Sequence, residues 1–399
     1  MNRLNRKLRT YILHALLEGV SIRSCERIFG VSQNTILKLL ADAGDAAIAH
    51  LASIEGLAIQ KIQADELFSY VAAREFNVAD MVVPTDGAGR VWTYLAICAD
   101  TKLVIAYHLG DQTEVDATTF TRRLASKLKR DEDGKFQVKP TIITDGLHAY
   151  PAAIEAAFGS DVNFGVLSKQ YSGIDEDGNR LPNSRYRGAD RKVVVGEVNE
   201  RDISTSYIER QNLNVRMGNR RYGRRTNAFS KTMLNHERQL ALWIMYHNYC
   251  WVPRPRRPRK GEPWPKRPTA ALEAGITDRL WEVGDILAFT DAFIAARRAA
   301  DAFAEDPEPA PTVWEDIDLA PSHWVYRRFH PHSAKVHQAG CVNCRDGAGK
   351  GGAGSTKSGD WHPFYSLEDA RAAAQAMLPD HYSVCSMCIG EYRLGGRDA

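Results

Sequence analysis

Apolar positions in the first fifty residues recur at helical spacing. They predict one helix over roughly Asn5 to Leu17, a second over SIRSCERIFG capped by Ser21, and a third over QNTILKLLADAG capped by Ser32. Gly30-Val31 makes the tight turn between the last two, and Ile22, Cys25, Ile28, Val31, Ile36 and Leu39 are spaced to bury one side. From about Leu57 the period falls to two. KIQADELFSYVA reads as a strand, and VWTYLAICAD with KLVIAYHL as a hairpin turned at Asp100-Thr101. VDATTFTRRLASKLKR is an amphipathic helix with Phe120, Leu124 and Leu128 on one stripe. PTIITDG is a short buried strand ending at Asp145, followed by a helix from Ala149 to Phe158 and a strand over VNFGVLSKQY. A helix over Tyr207 to Met217 and a longer one over Ala228 to Tyr249 complete this part, the latter with Phe229, Met233, Leu240 and Ile244 on one stripe.

Three strands, helix, strand, helix, strand and helix predict an α/β domain: a mixed sheet with helices on its faces. The stretch 172–201 is polar, glycine-rich and irregular, and reads as an insertion. PRPRRPRKGEPWPKRP reads as an extended basic arm, because its prolines forbid both helix and central strand. The expected organisation is therefore an all-α helix-turn-helix unit over 1–50 and an α/β domain over 57–250. A basic Pro/Arg arm and helix over 251–300, a linker over 301–322 and a small module over 323–399 follow.

The 399 residues carry a formal net charge of only +3, but its distribution is uneven. Between Arg210 and Lys260 stand thirteen Arg or Lys against one acid, Glu237, with Asn, Tyr, Thr and Phe interleaved. Such concentrated positive charge points to a polyanion, here double-stranded DNA. The expected contacts are Gln33, Asn34, Thr35 and Lys38 at the head of the third helix. Arg220, Arg221, Arg224 and Arg225, and Arg254, Arg256 and Arg257 of the arm, supply the basic ones. No stretch approaches the apolar length of a membrane span, and the basic N-terminus lacks a cleavage-site pattern. Both predict a cytoplasmic protein.

Two constellations carry candidate chemistry. Asp65 and Asp145 lie in apolar, strand-like surroundings, while Glu209 opens a helix on which Asn212 and Arg216 share its face at i+3 and i+7. Three such acids suit Mg²⁺ or Mn²⁺, and Arg216 could neutralise charge on a phosphate undergoing in-line displacement. Gln63, Asp65 and Leu67 share one strand face and Glu66 the other, which favours Asp65 over Glu66 as the ligand. His236, on the apolar stripe of its helix, is divided evenly between a site role and a core role. Near the C-terminus, Cys341 and Cys344, and Cys385 and Cys388, form two C-x-x-C pairs suited to one structural Zn²⁺, with His337 or His362 as possible substitutes for a cysteine.

DELF at Asp65, TDG at Asp145, YIERQNLNVR at Glu209, then RRYGRRTNAFSK and NHE at Asn235 to Glu237, resemble the DDE transposases of the insertion-sequence-one family. The resemblance covers roughly Gln60 to Tyr249. It implies a ribonuclease-H-like fold, Mg²⁺-dependent cleavage at element ends, and strand transfer into target DNA by the freed 3′-hydroxyl. It also implies Asp65, Asp145 and Glu209 as the catalytic acids and Arg216 as the basic residue after the glutamate. A homo-oligomer of at least two copies and a bacterial, nucleoid-associated setting follow from the same source. Two alternatives remain: a structure-selective nuclease on the same core without strand transfer, and a transposase-derived DNA-binding regulator. The intact acids weigh against the second.

Overall fold

The computed structural model describes residues 4–81, 87–174, 180–223, 227–253 and 267–303, and in the C-terminal part 323–328, 333–338, 359–364, 367–377 and 382–384. Residues 1–301 and 302–399 form two compact units. No described helix is long and apolar enough to cross a membrane.

The first unit opens with α1 (Arg6–Leu17), α2 (Ile22–Phe29) and α3 (Gln33–Ser53). Ser21 and Ser32 cap α2 and α3 as expected, accepting from the Ser24 and Thr35 N–H groups. Gly30 closes α2 in the left-handed region at φ 64, which a residue with a Cβ adopts only at a cost. Two expectations are corrected here. Ile28 is 63% exposed, and Phe29 packs against the core in its place. The third helix continues past Gly44 to Ser53, because Ala43, Ala46, Ala47 and Leu51 prolong its buried stripe.

The sheet is built from β1 (Lys61–Val71), β2 (Gly89–Cys98), β3 (Val104–Gly110), β4 (Thr141–Thr144), β5 (Asn163–Ile174) and β6 (Arg180–Val195), in the order β3-β2-β1-β4-β5-β6. β1, β2 and β3 are antiparallel neighbours, β4 and β5 run parallel to β1, and β6 is antiparallel to β5. The mixed α/β sheet of the expectation is therefore present, with one strand more. The stretch expected as an irregular insertion supplies β6, whose residues from Arg185 to Val194 are mostly exposed. An edge strand open to solvent needs no apolar alternation, and three register shifts against β5 break what periodicity remains.

Helices α4 (Glu114–Lys127) and α5 (Tyr150–Phe158) cover one face of the sheet, and α6 (Ser206–Gly218) and α7 (Met233–Tyr249) the other. The bonds across the layers mark the two sides. Ser69 of β1 meets His236 of α7, whereas Glu66 of β1 meets Tyr150 of α5. α7 is not the one-sided amphipathic helix its spacing suggested. From Gln239 to Met245 every residue is buried, which is what a helix inside a core requires. Its outer side carries α3: a Cβ on Gly44 would lie 2.4 Å from the Arg238 Cβ, so the two helices cross backbone to side chain without space. Asp45 accepts from Arg238 at 2.6 and 2.8 Å beside this crossing. One hydrophobic cluster runs from Ile12 in α1 through the sheet to Leu287, so the leading helices share the core of the α/β part. α8 (Ala270–Glu273) and α9 (Val283–Phe303) complete the unit.

The second unit contains β7 (His323–Arg328), β8 (Ser333–Gln338), β9 (Gly359–Phe364), α10 (Leu367–Met377) and β10 (Tyr382–Val384), with the strands ordered β10-β8-β7-β9.

Candidate metal centre

β1 and β4 pair in parallel as Lys61 with Thr141, Ile62 with Ile142 and Gln63 with Ile143. Continuing that register two residues brings Asp145, just past the end of β4, alongside Asp65. The predicted strand acid and strand-end acid therefore meet because of a backbone register, independent of any rotamer. β4 stops at Thr144, so at this level no strand separates the two faces of the sheet. Glu66 then reaches the same point from the opposite face. Asp65, Glu66 and Asp145 bring carboxylate oxygens within 4.8 Å of one another.

Several neighbours hold these acids in place. The Asp65 carboxylate accepts from the Glu66 N–H at 2.8 Å and from the Asn212 side-chain amide at 2.8 Å. The Leu147 N–H donates to Asp145 at 3.1 Å. The Tyr150 hydroxyl donates to Glu66. Gln63, two residues before Asp65 on the same face, accepts from the Tyr207 and Ile208 N–H groups at 2.9 and 3.1 Å. It thus caps α6 from the sheet, which places Glu209 and Asn212 over the cluster.

The crowding of negative charge is visible in the titration of the acids. Burial, then the charge of Asp145, pushes Asp65 up to about 7. Burial, followed by Asp145, pushes Glu66 up to about 9. Burial also raises Asp145. These are groups whose ionised forms lack a sufficient counter-charge. One cation partly offsets them. Lys169 of β5 lies 2.5 Å from Glu209 and lowers the pKa of both Asp65 and Asp145.

The donors fit a hard divalent cation. They are all oxygens, and a cation among them would offset the burial, and the lesser mutual repulsion, that raise their pKa values. A second observation points the same way. Asn212 is 7% exposed, and while its amide N–H₂ binds Asp65, its carbonyl oxygen has no hydrogen-bond partner among the described residues. An orphaned buried oxygen beside three carboxylates could serve as one more oxygen donor to a cation held there.

The other predicted site residues divide. Glu209 sits next to the cluster, bonded to Lys169 and to the Thr205 hydroxyl, and its charge acts on Asp65 and Asp145. Arg216 lies farther along β1, with its guanidinium 3.4 Å from the Phe68 carbonyl oxygen and over the Phe68 ring. Arg220 is exposed. Arg221, expected on the DNA-facing surface, instead donates to Ser230 at 2.7 Å and to the Asn235 carbonyl, and burial lowers it to about 10. Asn34, Thr35 and Lys38 are exposed at the head of α3, and Gln33 is half-buried with its amide on Glu26. His236 is fully buried, bonded at both ring nitrogens to Ser69 and Ser230 and stacked on Tyr222, with its pKa lowered to about 3 by burial. That is a core histidine. Arg224, Arg225, Arg254, Arg256 and Arg257, and Cys341, Cys344, Cys385 and Cys388, lie outside the described residues.

Sequence reasoning missed Lys169 and ranked Glu66 below Asp65. Strand parity argued against Glu66, and that rule fails where a neighbouring strand has ended. Lys169 becomes legible only once β5 is known to lie beside β4, in register with Thr144 opposite Val166.

No protein-family model and no curated protein matches the chain. Among solved structures, the Mos1 strand transfer complex is similar over 39% of this chain and 56% of its own, at 14% identity and a TM-score of 0.16. The matched region thus spans about half of that protein. An endonuclease V from Bacillus subtilis is similar over 54% of this chain and 94% of its own, at 12% identity and a TM-score of 0.19.

Proposed function

We propose that this protein is a DNA transposase of the DDE kind on a ribonuclease-H-like core, acting by metal-dependent phosphoryl transfer at the ends of a mobile element. The reading is carried by one observation: Asp65 and Asp145 are aligned by strand register beneath α6, with Glu66, Asn212 and Glu209 converging on them. Asp65, Glu66 and Asp145, with Asn212 and Glu209 beside them, would hold Mg²⁺ or Mn²⁺. Such ions, when bound, activate the attacking oxygen and stabilise the leaving oxygen of an in-line displacement. Around them, Asn212 fixes the orientation of Asp65 and Gln63 anchors α6. Lys169 would supply positive charge for a phosphate, and Arg216 would add charge farther along the strand. The exposed head of α3, with Asn34, Thr35 and Lys38, suits duplex DNA as the second helix of a helix-turn-helix.

The C-terminal module is read as a structural zinc unit. β8 and β10 pair in parallel, with Ala334 opposite Tyr382 and Val336 opposite Val384, so the chain leaves both strands at the same end of the sheet. The C-x-x-C pairs Cys341/Cys344 and Cys385/Cys388 follow those two strands in sequence. Two C-x-x-C pairs following neighbouring strands in sequence suit one shared tetrahedral ion.

The test is a nicking and joining assay with labelled element ends and a target plasmid, comparing the wild type with Asp145→Asn. Mg²⁺-dependent cleavage and joined product, both lost in the variant, support the transposase. Nicked ends without joining support a nuclease. DNA binding with no metal-dependent cleavage supports a regulator.

A further inference from the structure

Past Val166 the β5–β6 pair outruns β4 and continues as a two-stranded ribbon. Side chains alternate across it, so Leu167, Lys169 and Tyr171 of β5 lie on one face. Their partners across the ribbon are Arg191, Ala189 and Tyr186. A register shift between Gln170 and Tyr171 absorbs Arg187, which is why Tyr186 opposes Tyr171. The two rings are 5.9 Å apart at 65°. This is the face that carries the metal centre, since Lys169 meets Glu209 there. The order along it is therefore carboxylates, then Lys169, then an aromatic pair about 7 Å farther on. β5 and β6 together hold six Lys or Arg against one acid, Asp190.

The geometry points to this ribbon face as a track for single-stranded DNA flanking the reacting phosphate, with Lys169 at a backbone phosphate and Tyr171 with Tyr186 stacking a neighbouring base. The inference rests on the nucleic-acid reading above and adds to it a particular strand and a particular contact. A cation followed by aromatic rings at the spacing of an extended strand is how sequence-tolerant single-strand sites are built. Duplex DNA offers no such contact, because its base faces are already stacked on one another. The cross-strand pair helps hold the ribbon and also leaves ring surface open to a base. Tyr186 is left 61% exposed.

The experiment uses the full chain in EDTA, so that nothing is cut. It compares a fluorescein-labelled oligothymidylate with an abasic oligomer of the same length by anisotropy. The wild type should prefer the base-bearing strand by roughly ten-fold, the scale of one stacked base. Tyr186→Thr keeps a strand-forming residue but removes the ring and should abolish the preference, leaving abasic affinity unchanged. Tyr186→Phe should retain it. Undiminished preference in Tyr186→Thr overturns the track while leaving the nucleic-acid reading intact. A wild type that binds neither probe overturns both.

Discussion

The Lys169 ammonium and the Glu209 carboxylate lie 2.5 Å apart, so the acid expected as third ligand is held by a side-chain cation next to Asp65 and Asp145. A metal drawing Glu209 to Asp65 and Asp145 would have to compete with Lys169 for it. Lys169→Met is expected to tighten Mn²⁺ binding several-fold, read by paramagnetic titration of the metal-free protein. Weaker binding in the variant would mean that Lys169 organises the ligands rather than opposing the ion.

Glu66 and Glu209 make different predictions. Glu66 is held protonated by burial and by Asp145, so its ionised form destabilises the metal-free fold. Glu66→Gln should raise metal-free stability by an amount that grows as pH rises above the ordinary glutamate value of about 4.3 and levels off above about 9, and should weaken Mg²⁺-induced thermal stabilisation. Glu209→Gln should abolish cleavage, with DNA binding and metal-free melting temperature nearly unchanged. Thermal melts with and without Mg²⁺ separate the two. Undiminished Mg²⁺-induced stabilisation in Glu66→Gln would remove Glu66 from the ligand set.

Gly44 tests the docking of the leading helices. Alanine is the better helix former by about 1 kcal/mol, so an open site would be stabilised by Gly44→Ala. Here the new methyl meets Arg238 at 2.4 Å, and overpacking should prevail, lowering stability by about 2 kcal/mol in urea unfolding. A stabilised variant would show that α3 and α7 do not cross this closely in solution.

Asp116 gives a pH dependence of definite sign. Burial by itself would raise its pKa. Hydrogen bonds from His108 at 2.9 Å, Thr113 at 2.7 Å and the Asp111 N–H at 3.0 Å outweigh burial and leave it below the usual carboxylate value. A depressed folded pKa contributes stability above the unfolded value of about 3.9, which is lost as pH falls through the folded one. Asp116→Asn should therefore cost about 1 kcal/mol at pH 7, and the gap to the wild type should close below about pH 4. A gap that persists in acid would assign the loss to packing.

Local chemistry determined much of this protein on its own. The period-two alternation of β1, the serine caps of α2 and α3, and the glycine turn between them depend on neighbours in sequence, and they formed as read. Asp65 and Asp145 were legible for a related reason: one acid stands within a strand-forming stretch and the other directly after one. Tertiary structure decided what depends on partners far along the chain. β6 escaped notice because an edge strand faces water and needs no apolar pattern, and α7 because a helix buried all round leaves no polar stripe to contrast with. Arg221 turned inward because Ser230 and Asn235 offered it acceptors. Glu66 joined the centre because β4 ends one residue before Asp145 and opens a path between the two faces. Lys169 joined because β5 lies beside β4. Alternation tells which face a side chain takes, but where a neighbouring strand stops, and what then comes through the gap, is settled only by packing.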